Sequence, residues 1–363
     1  MAPKHATTGT HDRYRALCPP APKHTTDGPQ QREYSAEMDS VLGLPAEHRD
    51  AALNALQASL EAFDGDPGSV DENDPPRRPV LHTANGLFVD KGEPTGEGYL
   101  QSLARHYGTG VYPVDFQDEA ATKPAIDAWV NRNTGGRIKK APAKYDRRNT
   151  FSVLNTVYFA SAWKVPFDPS DTSELPFTTP DGGQASVPTM SGVQDLAYAR
   201  SAGWQAVDLP YAEGFVLRLV LPDAGTPMPG PQEGADAALA LEAAAPAPVQ
   251  IFLPKWEHKG DFELRKIFTD LGLQTMLNTS TDFDSIQRGL KIQEAAHSAT
   301  ITVAEKGTIA AAVTQINARA VSGVAAMEVI RFDRPFHYEI VHVGTGLPFF
   351  MGRVSDPRPS GGS

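Results

Sequence analysis

The chain has 363 residues, 40% of them hydrophobic, with 33 basic against 44 acidic side chains and a formal charge of −11. That supplies a core for one large domain or two ordinary ones, and the lack of a dense basic run argues against nucleic acid and anionic membrane as partners. No apolar run approaches the ~18 residues of a membrane span, and the single cysteine, Cys18, can form neither an intramolecular disulfide nor a Cys-x-x-Cys metal cluster.

Residues 1–37 are rich in Pro, Thr, His and charge and lack the apolar centre of a secretory signal, so they read as an atypical, disordered segment. Ala51 to Phe63 places apolar residues at helical spacing, and "DGDPGSVDENDPPRRP" is a loop by composition. Val80 to Val89 reads as strand, "GEGYLQSLARHYG" as helix and "VYPVDF" as strand. "KPAIDAWVNRNTGG" predicts a helix with Pro124 near its start and Gly135 and Gly136 at its end. The apolar, β-branched run from Thr150 to Trp163 suits a central strand buried on both faces.

Shorter strand-like runs follow at Ala206 to Leu209, Val216 to Pro222 and Val249 to Lys255, the last two separated by a Pro/Gly/Ala connector with room for one short helix. "DFELRKIFTDLGL" predicts a helix ending near Gly272. Strands at Lys291 to Ala296, Thr300 to Ala304, Val329 to Phe332, Tyr338 to Val343 and Pro348 to Val354 close the chain. No repeat is visible. Helices early and strands late predict an α+β fold with mixed or antiparallel sheets.

Enzyme constellations are missing: there is no Gly-x-Ser-x-Gly, His-Glu-x-x-His, Gly-x-x-x-x-Gly-Lys or Gly-x-Gly-x-x-Gly. The ten histidines are scattered, and "WEHKGD" lacks metal-ligand spacing. A Ser-His-Asp triad need not be contiguous, but no nucleophile context points to one. Neither metal nor cofactor is expected.

One stretch resists this reading. "VAEKGTIAAAVTQINARAVSG", Val303 to Gly323, begins like a strand and continues through small residues without a helical apolar stripe. Just beyond it, "VIRFDRPFHYEIVHVGTGLPFFMGRVSDP" strongly resembles the C-terminal signature of the serpins, serine protease inhibitors that act by loop insertion. Other landmarks agree in order: "ANGLFV", "IDAWVNRNTGGRI", "VLNTVYFASAWKVPF", "VDLPY", "LPKW" and "HSATITVAEKGTIAAAVT".

The resemblance implies a serpin domain over residues 38–357, with a large mixed central sheet, further sheets and packed helices. Residues 303–328 would be its hinge and exposed reactive-centre loop, and 358–363 a tail. The loop would insert as an extra strand into the central sheet. Glu305, Gly307 and Thr308 match the hinge, where Gly307 would tolerate the change in φ/ψ. Ala310, Ala311 and Ala312 add little bulk to slip between strands. Extended, Gly307 to Val321 would span ~50 Å at ~3.3 Å per residue.

Family spacing from Glu305 puts the reactive bond at Val321–Ser322, suited to an elastase-like or subtilisin-like protease. The alternative is Arg319–Ala320, suited to a trypsin-like one, unless Arg319 only keeps an exposed loop soluble. Trp163 matches the tryptophan where the loop first enters the sheet, and it reads equally as packing or as a switch. Asn155 and His297 match the polar pair beneath the sheet's centre, where strands part.

The resemblance thus implies a monomeric suicide-substrate inhibitor of a serine endopeptidase, with no catalytic residues of its own. A non-inhibitory binding or chaperone-like serpin is the alternative, discriminated by bulky, charged or Pro-containing hinge residues. Ile309 and Lys306 depart from the commoner acidic residues without blocking insertion. The graver departure is at the N-terminus, where the family's "NIFFSPxSIxxALAMxxLGA" motif has no match in residues 1–37. A mis-framed or truncated start would give such a segment, leave apolar surface uncovered and yield a defective product. Family resemblance points to an extracellular location, with the cytoplasm as alternative.

Overall fold

The computed structural model describes residues 37, 39–41, 52, 55–71, 73–92, 96–97, 110–141, 145–278, 296–308 and 327–358. In chain order the first elements are β1 (Val80–Asp90), β2 (Gly110–Val114), α1 (Glu119–Asn133) and β3 (Phe151–Ala162). Then come β4 (Ser173–Thr178), β5 (Gln184–Ser201), β6 (Trp204–Pro210), β7 (Phe215–Pro222) and α2 (Pro231–Ala243). The remainder is β8 (Ala247–Pro254), β9 (Trp256–Glu263), α3 (Leu264–Asp270), α4 (Gln274–Asn278), β10 (Ala296–Ala304), β11 (Gly307–Thr308), β12 (Glu328–Arg331), β13 (Phe336–His342) and β14 (Leu347–Val354).

Two mixed sheets result. The first has six strands in the order β2-β1-β3-β11-β10-β9; the second has eight, running β12-β8-β5-β6-β7-β13-β14 with β4 paired to β5. The pairs β1–β2 and β12–β8 are parallel. The main core lies between the sheets, where Leu81, Phe159, Trp163, Ile301 and Val303 of the first meet Leu209, Leu217, Ile251, Leu253 and Phe336 of the second. On the outer face of the first sheet α1 packs Trp129 and Val130 against Phe88 and Leu154. On the second, α2 packs Ala237 and Leu241 against Trp204, Ala206 and Val220.

The glycine of "ANGLFV" has a steric reason. A Cβ on Gly86 would stand 2.8 Å from the Trp129 ring, so only glycine lets α1 lie this close to β1. Helix α1 starts four residues before the run expected from Lys123, because the Asp118 carboxylate accepts a hydrogen bond from the Ala121 amide at 3.1 Å and caps it there. Pro124 therefore sits in the second turn rather than at the start. The end is as expected: Gly135 and Gly136 take φ of 58° and 82°.

Strand β3 is central, but only its second half is buried on both faces. Tyr158 to Ala162 are buried and Asn155 is exposed. The inner core runs under the upper half of the sheet, so a run read as uniformly buried proves graded along its length. Strands β4, β5 and β9 had no counterpart in the sequence reading, and Asp261 to Glu263, expected to open a helix, end β9 instead. The expected strand at Lys291 to Ala296 and the helix "GEGYLQSLARHYG" lie almost wholly outside the described residues, as do residues 1–36 and 359–363.

Candidate functional site

The chain turns at Glu305–Lys306 between β10 and β11, and the two residues of β11 enter the first sheet between β10 and β3. Gly307 pairs with Ala304 on one side and Ala162 on the other; Thr308 pairs with Val303 and Ser161. Both contacts are antiparallel, so β3 and β10 run parallel to each other. Below Thr308 no ladder joins them among the described residues. The arrangement is a seam, filled for two residues at its upper end.

In the seated state Gly307 is required on steric grounds. Its φ is not among the positive values found in the chain, but a Cβ there would fall 2.1 Å from the Ser161 carbonyl oxygen and 2.8 Å from Ala162 Cα. Close backbone approach, rather than a special dihedral, fixes the residue in this state. Thr308 is 1% exposed, and its hydroxyl shares a hydrogen bond with the Tyr211 phenol.

Trp163, fully buried, follows β3 directly and holds the turn from the side. Its indole Nε1 donates to Ala304 O at 2.8 Å and its amide to Lys306 O at 2.9 Å. The ring stacks on Tyr211 at 4.5 Å and 21°, and Tyr211 meets Phe159 edge-on at 5.0 Å. Burial pushes the Tyr211 phenol far above its ordinary pKa, so it stays protonated at any working pH.

Glu305 carries a charge into this packing at 7% exposure. Lys255, at the β8–β9 junction, answers it at 3.0 Å, and Thr172 Oγ1 donates to its other oxygen at 3.0 Å. The backbone oxygen of Glu305 accepts from the Phe167 amide at 2.9 Å. With its carboxylate oxygens and carbonyl all engaged, the buried acid is satisfied. Lys306 reaches outward, and its Nζ donates to Asn73 O at 2.9 Å. Asn73 belongs to the acidic loop whose Pro76 carbonyl accepts from the Ala162 amide at 2.9 Å.

Asn155 and His297 lie lower, on the two strands that flank the seam. The Asn155 side-chain amide donates to Asn85 Oδ1 at 2.9 Å across the β1–β3 pair. His297 is half-buried on β10 beside Phe262 of β9, and burial lowers its pKa. The structure therefore gathers Glu305, Gly307, Thr308 and Trp163 into one cluster and sets Asn155 and His297 apart from it. Ala310, Ala311, Ala312, Arg319, Ala320, Val321 and Ser322 lie outside the described residues.

Tyr211, Lys255, Thr172 and Asn85 were not singled out from sequence. Three of them sit inside runs that were: "VDLPY", "LPKW" and "ANGLFV". No metal-binding group of His, Cys, Asp or Glu side chains occurs among the described residues.

A family model described as Serpin (serine protease inhibitor) matches residues 30–357. Alpha-1-antitrypsin 1-4 of Mus musculus is 30% identical over 297 residues, covering 78% of this chain and 70% of that protein. Alpha-1-antitrypsin 1-3 of the same species is 31% identical with the same coverage. Among solved structures, the thermophilic serpin Tengpin in its native state superposes with a TM-score of 0.76 at 23% identity, covering 91% of this chain and 83% of that one. Thyroxine-binding globulin in complex with thyroxine gives 0.75 at 23% identity, covering 91% and 87%. The two sheets and their packed helices are the fold these structures share.

Proposed function

The chain belongs to the serpin family, and we propose that it inhibits a serine endopeptidase by trapping it as an acyl-enzyme while the reactive loop inserts into the first sheet. The single observation that carries this reading is the seam: Gly307 and Thr308 sit in register between β3 and β10, and among the described residues no ladder joins the two strands below them. A loop that continued downward from Thr308 would find a ladder waiting on each side.

The covalent step belongs to the protease. Its serine Oγ attacks the carbonyl carbon of Val321, and its general base takes the hydroxyl proton. The Val321–Ser322 bond then breaks, and that proton passes to the departing Ser322 amine. The new carbonyl end is an ester on the protease, tethered to Thr308 by the loop. Insertion draws the tethered protease along before water hydrolyses the ester. Arg319–Ala320 is the competing bond. The hinge supports inhibition rather than a purely binding role, because Gly307, Thr308 and the three alanines that follow contain no charge, proline or ring.

The test is incubation of the purified chain with elastase-like, subtilisin-like and trypsin-like proteases, followed by denaturing electrophoresis. A covalent complex that survives SDS is expected with one of the first two. Loop cleavage by all three without any complex would favour the non-inhibitory reading.

A further inference from the structure

We infer that Tyr211 is a positioning residue for loop insertion: its buried hydroxyl pins Thr308 between β3 and β10 in the uncut molecule and so fixes the register in which the rest of the loop enters. The inference rests on the inhibitory reading for its consequence, but the pin itself is a property of the uncleaved chain.

Tyr211 has little freedom. It follows β6 directly, forms an isolated bridge with Trp163, and its amide donates to Phe215 O at 3.0 Å. Stacking on Trp163 and the Phe159 edge fix the ring from two sides. Trp163 is in turn tied to Ala304 and Lys306. The phenol oxygen is thus delivered to one point in the interior, and Thr308 Oγ1 meets it there.

If β11 withdrew, the Thr308 hydroxyl could turn to water, while the Tyr211 hydroxyl would lose its partner inside the core. The pair therefore favours the seated state. It also selects among registers. A slip of one residue would place Ile309 or Gly307 against the phenol and turn every following side chain to the opposite face of the sheet. Neither residue offers a hydroxyl. The Gly307 position reinforces the choice, since any side chain there would collide with the Ser161 carbonyl. Insertion after cleavage then extends an existing two-residue ladder rather than starting one.

Four variants test this: Tyr211→Phe, Thr308→Val, the two combined, and Thr308→Ser. In the uncut chain, amide hydrogen exchange at Gly307 and Thr308 should quicken about tenfold in Tyr211→Phe and in Thr308→Val. The combined variant should be no faster than either single one, and Thr308→Ser should stay near the parent. With a protease that the parent traps, the inhibitor consumed per trapped protease should rise about three- to tenfold for the variants that lose a hydroxyl. Unchanged exchange in Tyr211→Phe, or effects that simply add in the combined variant, would overturn the inference. Absence of any trapped complex with the parent would overturn the inhibitory reading alone, because the exchange measurement needs no protease.

Discussion

Asn155 and His297 occupy the same level on opposite sides of the seam. Asn155 lies seven residues before Ala162 on β3, and His297 lies seven before Ala304 on β10, where Ala162 and Ala304 are the two register partners of Gly307. At ~3.3 Å per residue the pair sits ~23 Å below the hinge. The same count carried seven residues onward from Gly307 reaches Thr314. Under the proposed insertion, a loop in this register would bring Thr314 between Asn155 and His297, with all three side chains on one face.

That register is directly testable. In a Cys18→Ser background, the pair Asn155→Cys and Thr314→Cys should form a disulfide only after the loop is cut, since directly opposed antiparallel residues have Cα atoms ~4.5–5.5 Å apart. Pairing Asn155→Cys with a cysteine at Val313 or Gln315 should fail, because those side chains face the other side. Efficient crosslinking from either neighbour would show a different register.

His297 predicts a pH dependence. Burial lowers its pKa in the folded chain, so the unfolded chain binds the proton more readily and stability rises with pH across the interval between the two values. The contribution is complete above the unfolded value of about 6.5 and is lost as pH falls through the folded one. Melting temperatures of the parent and His297→Gln, compared from pH 8 to pH 5, should converge on acidification. A constant gap between them would dismiss the idea.

Thr308→Arg should convert the inhibitor into a substrate. The position is 1% exposed and backed by Tyr211, so an arginine would either bury an unpaired charge, costing several kcal/mol, or keep β11 out of the sheet. Loop cleavage should proceed while the SDS-resistant complex disappears. Undiminished trapping would mean that the loop enters by another route.

The ion pair at the turn should matter modestly. Glu305 is 9% exposed at its side chain, but Lys255 is 33% exposed, so solvent screens the pair and Glu305→Ala should cost about 1–2 kcal/mol of stability. The exchange Glu305→Lys with Lys255→Glu should recover part of the loss in denaturant titration. No recovery would assign the effect to Thr172 and the turn geometry instead.

The reactive bond is read from the released C-terminal peptide. Mass spectrometry should find Ser322 at its start; a peptide beginning at Ala320 would move the reactive residue to Arg319.

Much of this was legible from local signals. Strands β1, β3, β7, β13 and β14 are dense in apolar or β-branched residues, and the hinge residues follow one another in sequence. Strands β5 and β9 escaped because their residues do not look the part. β5 holds Pro188, Gly192 and eight polar or charged residues yet becomes a strand through pairing with β4, β6 and β8, while "WEHKGDFE" is charged and gains its strand from β10. The clasp around the hinge was hidden for a different reason. Tyr211 and Thr308 are 97 positions apart, and no spacing rule connects them; the bridge between Trp163 and Tyr211, just past the ends of β3 and β6, does. Gly307 was likewise visible as a residue type, but its contact with the Ser161 carbonyl exists only once β11 is seated.

The central claim is that the seam between β3 and β10 receives the cut loop. The measurement that addresses it most directly is the melting temperature of the chain before and after a single cleavage in the loop. Insertion adds backbone hydrogen bonds to β3 and to β10 along the seam, and the melting temperature should rise by about 10 °C or more. A cleaved chain that melts at or below the temperature of the uncut one would contradict the account.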